Sequence, residues 1–181
     1  MAALATAPEQ LYSGNFHADR DARTRATARA VLGHVQRWIA PASLCDAGCG
    51  VGTWLAAAGE LGIADIHGFE GPWAKAAPLV VPRGAIAFGD LQQPIACERR
   101  FDLAISLEVA EHLSEDRAPG FVADLTRLSD CVLFSAAIPM QGGVGHINER
   151  WQSWWAALFA QQGYEVFDII RPLIWNDPAI A

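Results

Sequence analysis

Apolar and polar positions along this chain switch repeatedly between helical and extended spacing. Residues 19–38 repeat at the helical period, placing Ala26, Ala30, Val31, Val35 and Trp38 toward a core, and Pro41 closes the segment. A short apolar run at 43–47 predicts a first strand, and a helical pattern at 51–61 stops at Gly62. Residues 63–69 predict a second strand ending in Glu70. Gly71 and Pro72 then open a short helix reaching about residue 79, and 85–88 form a brief third strand. The run 101–107 is apolar and flanked by charge, as a strand buried on both faces should be. A helical turn at 108–112, a helix at 117–128 and a fifth strand at 131–137 follow. A glycine-rich loop at 139–145, a tryptophan-rich helix at 148–162 and a sixth strand at 164–170 complete the pattern.

Strands alternating with helices predict an α/β fold: a Rossmann-like, doubly wound, mostly parallel sheet with helices on both faces. The 181 residues suffice for one core, so the expected organisation is a weakly ordered segment, 1–18, and a single domain, 19–181. Ligands of such sheets bind beyond the carboxyl ends of the strands, where the strand order switches. Every candidate functional residue below falls at such an end.

Composition removes several classes of partner. Apolar residues make up 52% of the chain, yet charge, glycine or proline interrupts each apolar run before it could span a membrane. Residues 1–9 lack the basic and apolar regions of a secretion signal. Cys45, Cys49, Cys97 and Cys131 form no Cys-x-x-Cys pair and read as reduced thiols, which implies a cytoplasmic protein. Net charge is −7 and Lys75 is the only lysine, a balance unsuited to nucleic acid. Arg20, Arg23, Arg25 and Arg29 fit the solvated face of a helix.

The most informative stretch is Leu44-Cys45-Asp46-Ala47-Gly48-Cys49-Gly50-Val51-Gly52-Thr53. A strand ends in an acid, a tight glycine turn follows, and a helix begins at once. Glycines 48, 50 and 52 let a ligand approach the backbone. The segment resembles motif I of the class I S-adenosylmethionine (SAM) dependent methyltransferases. A dinucleotide loop would want Gly-x-Gly-x-x-Gly, but the sixth position counted from Gly48 is Thr53. Asp46 suits the cationic amino end of SAM better than a pyrophosphate. The resemblance implies SAM as cofactor, held by Asp46, Gly48, Cys49, Gly50 and Gly52. It further implies that Glu70, beside Gly71 and Trp73, accepts both ribose hydroxyls. Asp90 and Leu91 are then expected at the adenine, and Leu107 along the cofactor. Trp73 is equally compatible with core packing.

Glu108, Glu111 and His112 follow the fourth strand at offsets that would put them on one face of a helix. With His146 from the later loop they form a set able to hold a divalent cation. The arrangement resembles the Glu-x-x-Glu-His plus His of small-RNA 3′-terminal methyltransferases, and a related motif occurs in ubiquinone-pathway O-methyltransferases. His146, Glu111 and His112 are the candidate catalytic groups, with His146 able to act as a base. Trp151, Trp154, Trp155 and Phe159 form a helical stripe, and Trp151 is the one placed to touch an acceptor. The expected activity is methyl transfer to a small molecule, at oxygen first and nitrogen second. A nicotinamide-dependent oxidoreductase and a SAM-fold module that binds a partner without catalysis are the rival readings. Relatives carry a seventh strand beyond residues 174–178, whereas this chain stops at Ala181. The sheet is therefore expected to be short by one strand, with an edge that a partner, such as a second copy, would cover.

Overall fold

The computed structural model describes residues 14–177 and 180, with side chains described from residue 24 onward. Its helices are α1 (Gly14–Val35), α2 (Thr53–Glu60), α3 (Ala118–Leu128), α4 (Gln152–Gln161) and a one-turn α5 (Arg171–Ile174). Its strands are β1 (Ser43–Ala47), β2 (Asp65–Glu70), β3 (Ile86–Phe88), β4 (Leu103–Leu107) and β5 (Val132–Ser135). All strand pairs are parallel and the order is β3-β2-β1-β4-β5. This is the expected Rossmann-like sheet. Its order reverses at β1, which has β2 on one side and β4 on the other and so opens a crevice at the carboxyl end of β1.

Strand side chains alternate between two cores. Leu44, Leu103 and Ile105 pack with Ala28, Leu32, Leu55 and Ile63 on the side of α1 and α2. Cys45 and Ala104 pack with Phe121, Leu125, Trp155 and Phe159 on the side of α3 and α4. The period of two is what a strand covered on both faces requires. A network fixes α1 to α2 at the surface, where Arg25 and Arg29 both reach Glu60. That agrees with the solvated-face reading of those two arginines. No described helix is long and apolar enough to cross a membrane.

Three expectations are corrected. The first helix already runs at Gly14, ahead of the boundary at residue 19, while residues 1–13 of the segment expected to be weakly ordered lie outside the described residues. Its core face is Ala28, Val31, Leu32 and Val35, and Trp38 is 50% exposed because the helix has already ended at Val35. Residues 164–170 form no strand. After Gly163, the Tyr164 hydroxyl donates to the carbonyls of Thr126 and Ser129, so the segment starts against the end of α3 rather than along β5. Val166, Phe167 and Ile169 are left exposed, and β5 has no second neighbour among the described residues.

Candidate active site

The turn after β1 is tied to the end of β2. The Gly48 and Cys49 amides donate to Phe69 O, at 2.8 and 3.3 Å. The Gly50 amide donates to Glu70 Oε2 and the Gly71 amide to Glu70 Oε1, both at 2.6 Å. Glu70 therefore joins the glycine turn to its own loop. A carboxylate oxygen accepts two hydrogen bonds, so these amides and two ribose hydroxyls are compatible on the same group. The glycines differ in purpose. A Cβ on Gly48 would strike Val109, and one on Gly52 would strike Val81. A Cβ on Gly50, at φ 56, would meet no protein atom within 4 Å and would stand in the open cradle itself.

Asp46, one residue before the end of β1, is only 3% exposed, beside Glu70 at 7%. Burial first, and the neighbouring Glu70 charge second, raise the Asp46 carboxyl well above the usual carboxylate range. Two buried acids side by side gain from a nearby cation. Cys49 is buried next to them, its thiol pushed up by burial and by both acids. Trp73 is not core. Its ring lies against Gly71, where a Cβ would come within 1.9 Å of it, and it is 37% exposed. The exposed Asp90 folds back on its own loop, accepting from Gln92 N at 2.9 Å. Leu91 is buried, and its carbonyl accepts from Arg117 Nε at 2.8 Å. Arg117 in turn pairs with the buried Asp124, which accepts the Ile95 amide. Leu107 closes β4 and is partly buried.

Beyond β4 the chain does not form the expected single helical face. Glu108 has a left-handed backbone, φ 56, and only Ala110–His112 make a 3₁₀ turn. Glu108 is thereby turned away, and it accepts from Ser135 Oγ at 2.7 Å and from Gln141 Nε2 at 3.2 Å. Glu111, His112 and His146 do converge, with ligand atoms within 4.8 Å of one another. Glu111 is fully buried, and neither oxygen has a well-formed hydrogen bond. Burial pushes its carboxyl up to about 7, despite the nearby amides of Glu111 and Ala137. Its backbone carbonyl accepts the Ile147 and Asn148 amides, which brings the His146 loop over it. His146 Nε2 lies 3.9 Å from Glu111 Oε1, and the two imidazoles meet edge to face at 4.9 Å. An orphaned buried carboxylate beside two imidazoles is a donor set that fits a divalent cation.

Reading the sequence missed Gln141, Val109, Glu149 and the Arg117–Asp124 pair. Glu149 alone left a signal, three residues after His146. Trp155 and Phe159 are core, Trp154 is partly buried, and Trp151 is 56% exposed beside the loop.

A family model described as a methyltransferase domain matches residues 20–169. Among solved structures, the methyltransferase domain of bacterial CtHen1-CN is 19% identical, with a TM-score of 0.55 over 78% of this chain and 91% of that one. DesVI of Streptomyces venezuelae is 17% identical, with a TM-score of 0.51 over 67% of this chain and 55% of that one. Human N-acetylserotonin methyltransferase, solved with SAM, is 18% identical, with a TM-score of 0.51 over 71% and 43%. The chain thus spans about half the length of DesVI and of the human enzyme. No curated protein matches it. Identities this low speak to fold, whereas the family match runs through β1 to β5 and both sets of site residues. The chain belongs to the methyltransferase domain family, and its sheet is the Rossmann-like one of class I SAM-dependent methyltransferases.

Proposed function

We propose that the protein is a cytoplasmic enzyme that transfers a methyl group from SAM to a hydroxyl of a small, largely apolar molecule. The observation that carries this reading is the junction at Val109. Its side chain packs on Gly48 of the cofactor turn, and the next residues place Glu111 and His112 beside His146. Cofactor cradle and reactive cluster therefore share one wall. The loop bearing His146 also exposes Met140, Val144, Ile147 and Trp151, surface suited to an apolar acceptor body. Four free thiols support a reducing compartment.

Bound SAM supplies an activated methyl on sulfur, so the protein needs to align the acceptor, exclude water and take up one proton. Asp46 and Glu70 orient the cofactor's cationic and ribose ends. His146, with Nε2 3.9 Å from the buried Glu111, is the group that can accept the hydroxyl's proton. Were a divalent cation present, Glu111, His112 and His146 would hold it, and its chemistry would be to lower the pKa of the acceptor hydroxyl. Glu108, engaged by Ser135 and Gln141, is not among those ligands.

Label transfer from methyl-tritiated SAM to paired phenols and anilines, with and without Mn²⁺, tests the reading. Labelled phenol, lost in His146→Ala, is the expected result. Labelled aniline alone makes nitrogen the acceptor. No transfer to any hydroxyl by a protein that binds SAM would overturn the acceptor assignment.

A further inference from the structure

We propose that Glu149 is the positioning residue of this site: its carboxylate fixes His146 as the Nδ1–H tautomer and clamps the loop around it, so that Nε2 presents its lone pair to Glu111. The proposal rests on reading this cluster as the acceptor side of a methyltransferase.

Glu149 collects three donors. Its Oε2 accepts the Met140 amide at 3.0 Å, and its Oε1 accepts the Gly142 amide at 2.8 Å and meets His146 Nδ1 at 3.1 Å. Two backbone amides, which can only donate, point at this carboxylate and hold both its oxygens as acceptors. An ionised carboxylate only accepts, so the proton of a neutral His146 must sit on Nδ1. Nε2 is then an acceptor, and it is the nitrogen 3.9 Å from Glu111 Oε1.

The rest of the loop is built to the same end. Met140 adopts a left-handed backbone, φ 75, held by the Glu149 bond. Gly143 lies flat against the His146 ring, where a Cβ would come within 2.4 Å of Cε1 and Nε2. Gly145 offers its carbonyl to His112 Nδ1 at 3.2 Å. A carbonyl too can only accept, so His112 also carries its proton on Nδ1. Both imidazoles are thus oriented through Nδ1, one by a carboxylate and one by a backbone carbonyl, as outer partners orient ligating or basic histidines. A residue that merely anchored the loop would have no need to reach the ring.

The test is long-range ¹H–¹⁵N NMR of the full chain above pH 8, where imidazole is neutral, with His146 assigned by His146→Gln. Wild type is expected to show Nδ1–H, and Glu149→Ala to shift His146 toward Nε2–H. In parallel, Mn²⁺ affinity measured calorimetrically is expected to fall about 10–100-fold in Glu149→Ala, while S-adenosylhomocysteine binding stays unchanged. A wild-type His146 already protonated on Nε2 overturns the proposal, and that spectrum decides even if the variant fails to fold. An unchanged tautomer in a folded Glu149→Ala overturns it too. A wild type that binds no Mn²⁺ removes the metal from the functional reading, while the tautomer measurement still decides the role of Glu149.

Discussion

Val109 fills the space that a side chain at Gly48 would need, with its Cγ2 2.3 Å from the position of a Cβ on that glycine. Gly48→Ala is therefore expected to cost about 1–3 kcal/mol through overpacking, with added strain at φ 93. It should also weaken S-adenosylhomocysteine binding. Gly48→Ala combined with Val109→Ala should recover part of the stability, because the clash is relieved while the backbone strain remains. Urea unfolding of wild type and the two variants measures the stability changes, and calorimetric titration measures the binding.

With Asp46 at the amino end of SAM, as proposed, cofactor binding is expected to depend on pH. Burial and the Glu70 charge raise its carboxyl, so the unliganded protein keeps the proton to a higher pH than an ordinary carboxylate would. The cationic amino group of SAM favours the carboxylate. Binding then expels a proton, and affinity is expected to rise as pH rises through the free-protein pKa. Calorimetry across pH 5 to 8.5 reads the slope, which Asp46→Asn should flatten along with an affinity loss of about tenfold or more.

Glu111 destabilises the metal-free protein when ionised. Burial pushes its folded carboxyl up to about 7 from an ordinary 4.5. The folded state thus holds more protons between those values, and stability falls as pH rises through that window, then levels off. Glu111→Gln removes the titration. In the presence of chelator it is expected to be more stable than wild type at pH 8 by about 1–2 kcal/mol, with a flatter pH profile, and to lose Mn²⁺ binding. Equal slopes for the two proteins would show that Glu111 does not carry the shift.

The buried pair of Arg117 and Asp124 holds the Asp90–Leu91 loop. Arg117 also donates to the carbonyls of Leu91 and Gln93. Asp124→Ala strands a buried guanidinium and the Ile95 amide, with an expected cost of about 3–5 kcal/mol. Cofactor affinity should drop as well, since the loop that bears Asp90 loses its anchor. Arg117→Met should cost less in chemical unfolding, because Arg127 and the Ile95 amide still pair with Asp124.

The five strands and the helices between them were legible because period, glycine stops and charged flanks agree at each. β1 appears with the expected bounds, 43–47. The glycine turn after β1 was legible for the same reason, since a strand end followed by glycines constrains the backbone locally. The cluster past β4 was only half legible. Offsets of three and four imply one face only if the segment is helical, and a left-handed Glu108 breaks that premise. What turns Glu108 away, Ser135 and Gln141, is distant in sequence. The expected sixth strand failed similarly: its apolar residues suit a strand, but the segment starts with the Tyr164 hydroxyl bonded to the end of α3, a contact distant in sequence.

The most direct measurement is calorimetric titration of the purified chain with S-adenosylhomocysteine, beside NAD and beside Gly50→Val. Micromolar binding to wild type, none to NAD and none to a folded Gly50→Val is the predicted result. Absence of S-adenosylhomocysteine binding by wild type, or full binding by Gly50→Val, would contradict the assignment of the cradle to SAM.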